Sequence, residues 1–309
     1  MSTLPVFATP STVTPGLDAA WVARIVEVAL DEDLGPAPGR DVTSQATIPP
    51  SATGVAELVA REDGVVAGLL VVPEVLGQVA ARLGLPAPEA TFHVQDGAAV
   101  TAGQVLASLA GRTQVLLVAE RTLLNLASRA SGVATATRAF ARELAGTGAQ
   151  VLDTRKTTPG LRALQKYAVR AGGGTNKRMG LYDVAMVKDN HVVAAGSVAA
   201  AIRAVRENFP DVQIQVEADT TAQALEALAS GADFLLLDNM EPGLLAETVA
   251  AVRAREGRDG VPAHVELEAT GNLTLETASK VAATGVDYLS VGALTHSAPI
   301  LDLALDLRG

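Results

Sequence analysis

The chain has 309 residues, of which 49% are hydrophobic and 3% aromatic, with no cysteine and a formal net charge of -10. A chain of this length fits two domains or one large barrel with an addition. The acidic balance and the scarcity of aromatic rings argue against nucleic acid as a partner. Disulfides, thiolate metal sites and a cysteine nucleophile are excluded because cysteine is absent.

The N-terminal segment, residues 1–16, is predicted to be a flexible tail. It lacks the basic start and the long apolar stretch of a signal peptide. The longest apolar run, residues 64–80, is interrupted by Pro73, Glu74 and Gln78, so it does not predict a membrane span. We therefore expect no membrane association and a cytoplasmic location.

Residues 17–115 predict a separate α+β domain. Helical patterns cover residues 19–31 and 73–84. Strand-like runs separated by turn residues cover 55–62, 64–71, 90–100 and 103–111. Residues 116–146 are predicted to be mostly helical and to connect this part to the rest of the chain.

From about residue 149 onward, short aliphatic runs alternate with alanine-rich helical runs. The predicted strands are 150–154, 184–189, 214–219, 233–239, 264–270 and 287–293, and the helices between the later ones are 194–209, 220–232, 242–256 and 274–285. Such alternation indicates a parallel sheet with right-handed crossovers. The strands end in polar or small residues, as expected for a β/α barrel with its active site at the strand ends. We predict six strands rather than eight, so the barrel is incomplete or open.

Cations are concentrated between residues 151 and 191, where four of the five lysines lie. The eight positive residues of this window are Arg155, Lys156, Arg162, Lys166, Arg170, Lys177, Arg178 and Lys188. In an anionic protein, such crowding is most simply compensated by a bound di-acid or phosphate ester. Three of these residues, Arg162, Lys166 and Arg170, recur every fourth residue on a predicted helix. We interpret those three as a solvated stripe and leave them outside the site.

Ordered motifs spanning nearly the whole chain are similar to those of the quinolinate phosphoribosyltransferase family. The motifs are EDLG (32–35), GRDVTS (39–44), ERTLLN (120–125), SRASGVAT (128–135), LDTRKTTPGLR (152–162), YAVRAGGGTNKRMGLYD (167–183), KDNH (188–191), LLLDN (235–239), EATGN (268–272) and TGVDYLSVGALTHSAP (284–299). The resemblance implies transfer of phosphoribosyl from phosphoribosyl pyrophosphate to quinolinate with decarboxylation. The products would be nicotinate mononucleotide, pyrophosphate and CO2, on the route to NAD.

The resemblance also implies the fold and the assembly. The family fold is an N-terminal α/β sandwich followed by an open six-stranded α/β barrel of the type II phosphoribosyltransferase kind. On this chain it predicts a sandwich domain at 17–123, a barrel at 124–294 and a C-terminal segment, 295–309, packing on the sandwich. We expect a homodimer, leaving a higher oligomer open. The neighbouring subunit would contribute Arg121, which on spacing alone would be an ordinary solvated residue.

The family pattern places a set of cations around quinolinate. Arg155, Arg178 and Lys188 would surround its carboxylates, and Lys156 would be shared with the pyrophosphate. Thr154 belongs to the same predicted set. Lys177 departs from the family, which commonly has histidine there; lysine keeps a positive donor but loses titration near neutral pH. A mainly electrostatic role is therefore expected for Lys177.

Two acids among these cations, Glu217 and Asp238, are predicted to serve the metal and the sugar. The resemblance gives them the ribose hydroxyls and a Mg²⁺ held jointly with the pyrophosphate, directly or through water. Together with Lys156 and Lys188 they form the predicted catalytic set. For either acid alone, a helix cap or a salt bridge with a neighbouring lysine is the ordinary alternative.

A phosphate-binding turn is predicted where a barrel strand passes into a helix near residue 274. Glycine lets backbone N–H groups approach an anion, and a helix N-terminus favours negative charge. Residue 270 is commonly serine in the family, and Thr270 keeps the hydroxyl. The residues predicted for the 5-phosphate are Thr270, Gly271, Asn272, Gly292, Ala293 and His296.

Three other functions fit parts of this pattern. Lys156 or Lys188 could form an imine in a Schiff-base aldolase. A phosphate-binding paralogue without activity is a second alternative, although a pure anion receptor gains nothing from Glu217 and Asp238. A related transferase that accepts another base, such as a molybdenum-operon paralogue or a non-carboxylating nicotinate enzyme, is the third.

Overall fold

The computed structural model describes residues 16–258 and 260–308, so the predicted N-terminal tail lies almost entirely outside the described residues. These residues form two units. The barrel unit contains Ala139–Lys156 and Gly174–Ala293, and the sandwich unit contains residues 16–138, Thr157–Gly173 and residues 294–308. Each unit is built from segments that are distant in sequence.

Twelve strands are found in the described residues. In chain order they are β1 Thr53–Ala60, β2 Gly64–Val65, β3 Glu89–Phe92, β4 Ala99–Val100, β5 Val105–Arg112, β6 Gln150–Leu152, β7 Val184–Val187, β8 Gln213–Ala218, β9 Phe234–Asp238, β10 Glu266–Thr270, β11 Tyr288–Ser290 and β12 Leu303–Arg308. All six barrel strands lie inside the segments that the sequence pattern predicted, or within one residue of them.

Eleven α-helices accompany these strands in the described part of the chain. They are α1 Ala19–Leu34, α2 Ser44–Thr47, α3 Val72–Leu83, α4 Thr113–Glu143, α5 Arg162–Ala171, α6 Asp189–Ala195, α7 Val198–Asn208, α8 Thr221–Ala229, α9 Pro242–Arg253, α10 Leu275–Ala282 and α11 Ala293–His296. None of the helices in the described ranges is long and apolar enough to cross a membrane.

The sandwich unit is built on a four-stranded antiparallel sheet in the order β12-β1-β5-β3. Its helices α1 and α3 carry buried aliphatic side chains at three- and four-residue spacing, as an amphipathic helix on a core must. Asp18 begins α1 by accepting a hydrogen bond from Trp21 N at 2.7 Å. The chain's last strand, β12, pairs with β1 at the edge of this sheet.

The barrel unit contains a parallel six-stranded sheet in the order β6-β11-β10-β9-β8-β7. Its two edge strands, β6 and β7, are successive in sequence and are not paired with each other, which makes the barrel open. Helix starts support the crossovers: Thr220 begins α8 with a capping box, its Oγ1 accepting from Gln223 N at 3.2 Å. The predicted open six-stranded α/β barrel is therefore confirmed.

The two faces of this sheet differ in chemistry. Residues paired in register share a face, and one face carries Gln215, Glu217, Phe234, Leu236, Glu266, Glu268 and Tyr288. We call it the Phe234 face. The opposite face is aliphatic and buried, with Ile214, Val216, Leu235, Leu237, Leu267 and Leu289. Ordinary parallel strands are apolar on both faces, so the acids and amides of the Phe234 face need a separate explanation.

Two predictions of local structure are corrected, and one helix was missed. Residues 64–71 were predicted as one strand, but only β2 is extended and Leu69–Val71 form a 3₁₀ turn before α3. Helix α6 was not predicted. The solvated stripe is wrong as well: Lys166 is 3% exposed, and Arg162 and Arg170 are half-buried. The reason is that α5 is buried along Leu164–Val169 on all sides, so it has no solvent face on which a stripe could lie.

Candidate active site

A buried aspartate organises the cation-rich end of the barrel. Asp153 follows β6, is 0% exposed and accepts from Asn176 Nδ2 at 2.6 Å and from Lys177 N at 2.9 Å. The loop that carries Lys177 and Arg178 is thereby fixed to the end of β6. Next to Asp153, Thr154 Oγ1 accepts from Lys156 N at 3.0 Å and shapes the turn that carries Arg155.

Two arginines lie close together here. Arg178 donates to the carbonyl oxygen of Val184 at 2.9 Å and approaches Met186 Sδ at 3.6 Å, which holds its guanidinium against β7. Burial lowers the pKa of Arg178, and the positive charge of Arg155 lowers it further. The Arg178 guanidinium thus lies in a region that disfavours its charge, an arrangement that an anion would relieve.

Lys177 lies deeper in the barrel unit. Its side chain is 8% exposed, and its Nζ is 2.5 Å from Glu268 Oε1. Burial lowers the pKa of Lys177, and the Glu268 carboxylate opposes that effect. The charges of Arg178 and Lys188 lower its pKa further, which links these three cations in one electrostatic group.

The last cation of the group is paired with one of the two predicted acids. Lys188 Nζ donates to Glu217 Oε2, with the lysine side chain 46% exposed and the glutamate 10% exposed. Burial raises the pKa of Glu217; Lys188 opposes this, and Asp238 adds to it by repulsion. The structure therefore brings Lys188, Glu217 and Asp238 together at the carboxyl ends of β7, β8 and β9.

The predicted phosphate turn has unusual backbone geometry. Asn239 and Asn272, which follow β9 and β10, have positive φ angles of 52° and 45°. Gly271, which immediately precedes Asn272, has a φ angle of 103°, and a Cβ on it would lie 2.1 Å from Asn239 Oδ1. Glycine is required there because the two strand ends approach so closely. The turn leads to Thr274, which begins α10.

The remaining predicted residues are divided between the two units. Gly292 and Ala293 belong to the barrel unit and come shortly after β11. Val291, the residue after β11, donates its backbone N–H to the carbonyl oxygen of Leu152 at 3.0 Å. Arg121 and His296 belong to the sandwich unit, and both are exposed. Arg121 lies on α4, and His296 Nδ1 is 2.6 Å from Ser297 Oγ. Their proposed contributions to the site stay predictions.

Sequence reasoning did not assign three residues that support this region. Asp153 and Glu268 lie in the motifs LDTRKTTPGLR and EATGN, but no role was predicted for them or for Gln215. Asp153 directly follows β6, and Gln215 and Glu268 lie within β8 and β10. A polar residue next to buried aliphatic strand residues is the signal that could have identified them. Asn239 was likewise unassigned, although its position after LLLD resembles that of the predicted strand-end residues.

Carboxylates that could hold a divalent cation are few. In residues 16–258 and 260–308, no group of three or more His, Asp or Glu side chains is arranged as a metal site. The pair Glu217 and Asp238 fits Mg²⁺ only as part of a site completed by substrate oxygens and water. That donor set is ordinary for Mg²⁺, which commonly uses one or two protein carboxylates plus phosphates.

Comparison with protein families matches both parts of the chain. Residues 41–131 match the family described as quinolinate phosphoribosyl transferase, N-terminal domain. Residues 133–306 match the corresponding C-terminal domain. The two matches are contiguous and together cover most of the chain.

Individual relatives agree with these matches. A nicotinate-nucleotide pyrophosphorylase [carboxylating] of Mycobacterium leprae is 48% identical over 279 residues, covering 90% of this chain and 94% of the relative. A probable enzyme of the same name from Bacillus subtilis is 41% identical over 277 residues, covering 89% and 90%. The solved nicotinate-nucleotide pyrophosphorylase of Francisella tularensis has a TM-score of 0.85 at 31% identity, covering 96% of this chain and 100% of that one.

Proposed function

The chain belongs to the quinolinate phosphoribosyltransferase family, and we propose that it catalyses the reaction for which the family is named. It transfers phosphoribosyl from phosphoribosyl pyrophosphate to quinolinate with decarboxylation, giving nicotinate mononucleotide, pyrophosphate and CO2. It is a pentosyltransferase of de novo NAD biosynthesis. The observation that carries the proposal is the group of cations beside two acids at the carboxyl ends of the barrel strands.

Quinolinate binding is assigned to the cations of that group. Arg155 and Arg178 present planar donor groups that match carboxylates, and Lys188 and Lys156 present compact charges. The mutual repulsion of the two arginines supports this assignment, because a dianion between them would remove it. Lys156 is exposed and also suits the pyrophosphate.

Glu217 and Asp238 are assigned to the ribose hydroxyls and to Mg²⁺. When bound, Mg²⁺ would neutralise charge on the pyrophosphate group and so favour its departure. The acids themselves are close enough to repel each other, which supports a shared cationic partner. Lys188 donates to Glu217 in the structure. Substrate binding would therefore separate this ion pair, with Lys188 binding the dicarboxylate and Glu217 binding the ribose hydroxyls.

The 5-phosphate is assigned to the turn at Thr270, Gly271 and Asn272, with Gly292 and Ala293, while the predicted part of His296 stays a prediction. Gly271 and Asn272 have positive φ angles, and glycine lets the backbone of this turn approach an anion. The adjacent start of α10 adds a favourable dipole.

The reaction needs positioning and electrostatics rather than a covalent nucleophile. The pyridine nitrogen of quinolinate forms a bond to the anomeric carbon while the bond to pyrophosphate breaks, through a state with oxocarbenium character. Glu217 and Asp238 stabilise the positive charge at that carbon. The resulting pyridinium accepts the electron pair released when the 2-carboxylate leaves as CO2. A proton then adds at C2 of the pyridine ring, the carbon that carried this carboxylate.

Assembly and location are proposed on similar grounds. A homodimer is proposed in which Arg121 of one chain serves the site of the other, since Arg121 is exposed on α4. A cytoplasmic location is proposed because the chain is similar to the bacterial enzymes of Mycobacterium leprae and Bacillus subtilis.

The test is turnover with each base. Purified protein is incubated with phosphoribosyl pyrophosphate, Mg²⁺ and either quinolinate or nicotinate, with release of CO2 and formation of mononucleotide followed together. We expect turnover of quinolinate and its loss when EDTA removes Mg²⁺. Turnover of nicotinate alone would instead favour the non-carboxylating transferase and reject the proposal.

A further inference from the structure

Glu268 is a fully buried acid next to the cation group. It lies on β10, on the Phe234 face, and its side chain is 0% exposed. One carboxylate oxygen accepts from Lys177 Nζ at 2.5 Å, and the other accepts from Gln215 Nε2 at 2.6 Å. Both oxygens of this carboxylate are therefore bonded, and its orientation is fixed from two strands and one loop.

Lys177 is fixed at both of its ends. Its backbone N–H donates to Asp153, and its ammonium group donates to Glu268. Arg178 follows it in the chain and is attached to β7 through Val184. A displacement of the Lys177 side chain would thus require breaking a buried ion pair, which is strongly unfavourable when only one partner is removed.

Charge explains why an acid is needed behind this lysine. Burial and the charges of Arg178 and Lys188 all disfavour a positive Lys177, and the Glu268 carboxylate opposes these effects. Gln215, the other residue bonded to Glu268, is neutral. Without the carboxylate, an ammonium group in this position would lose its proton or leave the site.

We propose that Glu268 is a positioning residue for quinolinate binding, holding Lys177 charged and in place beside Arg178 and Lys188, with Gln215 orienting its carboxylate. The proposal rests on the proposed function and deepens it. Lys177 then contributes a permanent positive charge to the dicarboxylate pocket. Glu268 acts only through Lys177 and does not itself contact substrate.

The proposal predicts that removal of the Glu268 charge weakens quinolinate binding, which is the opposite of what its negative charge alone would predict. A buried negative charge near an anion site would by simple Coulomb attraction and repulsion oppose anion binding, so its removal would improve affinity. If Glu268 instead maintains Lys177, its removal must weaken affinity, because one cation is lost together with the acid. The direction of the change in quinolinate affinity therefore distinguishes direct repulsion of the anion by Glu268 from support of Lys177 by Glu268.

The experiment compares Glu268→Gln with wild type in the full-length protein. We expect the KM and Kd for quinolinate to rise about tenfold, the loss expected for one charge-assisted hydrogen bond. The KM for phosphoribosyl pyrophosphate should stay within about twofold. In a Lys177→Met background, Glu268→Gln should add no further loss of quinolinate affinity. The matched control is Glu266→Gln, two residues earlier on the same strand and face, which should leave both KM values unchanged.

Unchanged or improved quinolinate affinity in a folded Glu268→Gln protein would overturn the proposal. If that variant does not fold, Gln215→Met provides the second test, because it removes one hydrogen bond to Glu268 and leaves the ion pair. It should raise the quinolinate KM in the same direction by a smaller factor. A Gln215→Met protein with wild-type quinolinate affinity, and with the NMR signal of the Lys177 side chain described below unchanged, would also reject the proposal.

A measurement without turnover separates this proposal from the proposed function. The chain has only five lysines, so ¹³C-labelled lysine gives few Cε signals, and Lys177→Met assigns the one in question. We expect wild-type Lys177 to keep the chemical shift of a charged ammonium at pH 8, and Glu268→Gln to lose it. A charged signal with no turnover of quinolinate would reject the proposed function alone. A neutral signal in wild type would reject the role of Glu268.

Discussion

The two ends of the parallel sheet contain arginines in opposite electrostatic situations. At the amino end of β10 and β11, Arg253 bonds to Glu256 at 2.6 Å and to Asp287 at 2.7 Å. Although burial lowers the pKa of Arg253, these two acids raise it overall. At the carboxyl end, burial and Arg155 lower the pKa of Arg178. The acids around Arg253 outweigh its burial, whereas Asp183 and Glu268 do not offset the burial of Arg178 and the charge of Arg155.

This difference distinguishes a structural ion cluster from a binding site. A compensated arginine stabilises the fold and has little left to offer a ligand. Crowded cations reduce the stability of the unbound protein and gain most when an anion arrives. Substitutions at the two ends should therefore have opposite consequences for binding and for stability.

The largest effect is expected for Arg155→Ala at the carboxyl end. We expect the Kd for quinolinate to rise about 10- to 100-fold, since a charge-assisted hydrogen bond contributes about 1.5–3 kcal/mol. Thermal stability should be unchanged or higher, because repulsion with Arg178 is removed. Calorimetric titration and thermal unfolding measure the two quantities. The control is Arg203→Ala, an exposed arginine on α7, and wild-type quinolinate affinity in Arg155→Ala would reject the assigned pocket.

The opposite result is expected for Arg253→Ala at the amino end. This change leaves Glu256 and Asp287 without their cation and removes a hydrogen bond to the carbonyl oxygen of Val265. We expect a loss of about 1–3 kcal/mol in the free energy of unfolding, measured by urea denaturation, with both KM values unchanged. Arg255→Ala, at an exposed position two residues away, is the matched control. A stable Arg253→Ala protein with weakened quinolinate binding would contradict the comparison.

The sequence predicted the carboxyl end better than its internal support. The six strands and their polar ends could be predicted because each is a local pattern of aliphatic residues followed by polar ones. The pairing of Lys177 with Glu268 could not, since the two residues are 91 positions apart and three strands, β7, β8 and β9, lie between them in the chain. Local spacing also failed for Lys166, because helical periodicity assumes that one helix face meets water. Burial on all sides depends on the surrounding elements, which periodicity does not describe.

The smallest effect concerns Glu266, the counterpart of Glu268 on the same strand and face. Tyr288 Oη donates to its Oε1 at 3.3 Å, and its Oε2 is buried without a hydrogen bond. Burial raises the pKa of Glu266, with the charge of Asp287 adding to the effect and Tyr288 and His264 opposing it. No ion pair like that of Lys177 with Glu268 is found for Glu266 in the described residues, and folding disfavours its ionised form relative to the unfolded chain.

The contribution of Glu266 to the stability of the folded protein should therefore decrease as pH rises. The folded protein binds the Glu266 proton more tightly than the unfolded chain, so the contribution is complete below the unfolded pKa of 4.5 and is lost as pH rises through the higher folded pKa. Glu266→Gln, which resembles the protonated form, should match wild type near pH 4.5 and be the more stable protein at pH 7.5. Urea midpoints of both proteins across this range measure the difference. A variant that is less stable than wild type at pH 7.5 would mean that the ionised carboxylate is compensated at the amino end too, and the contrast between Glu266 and Glu268 would be lost.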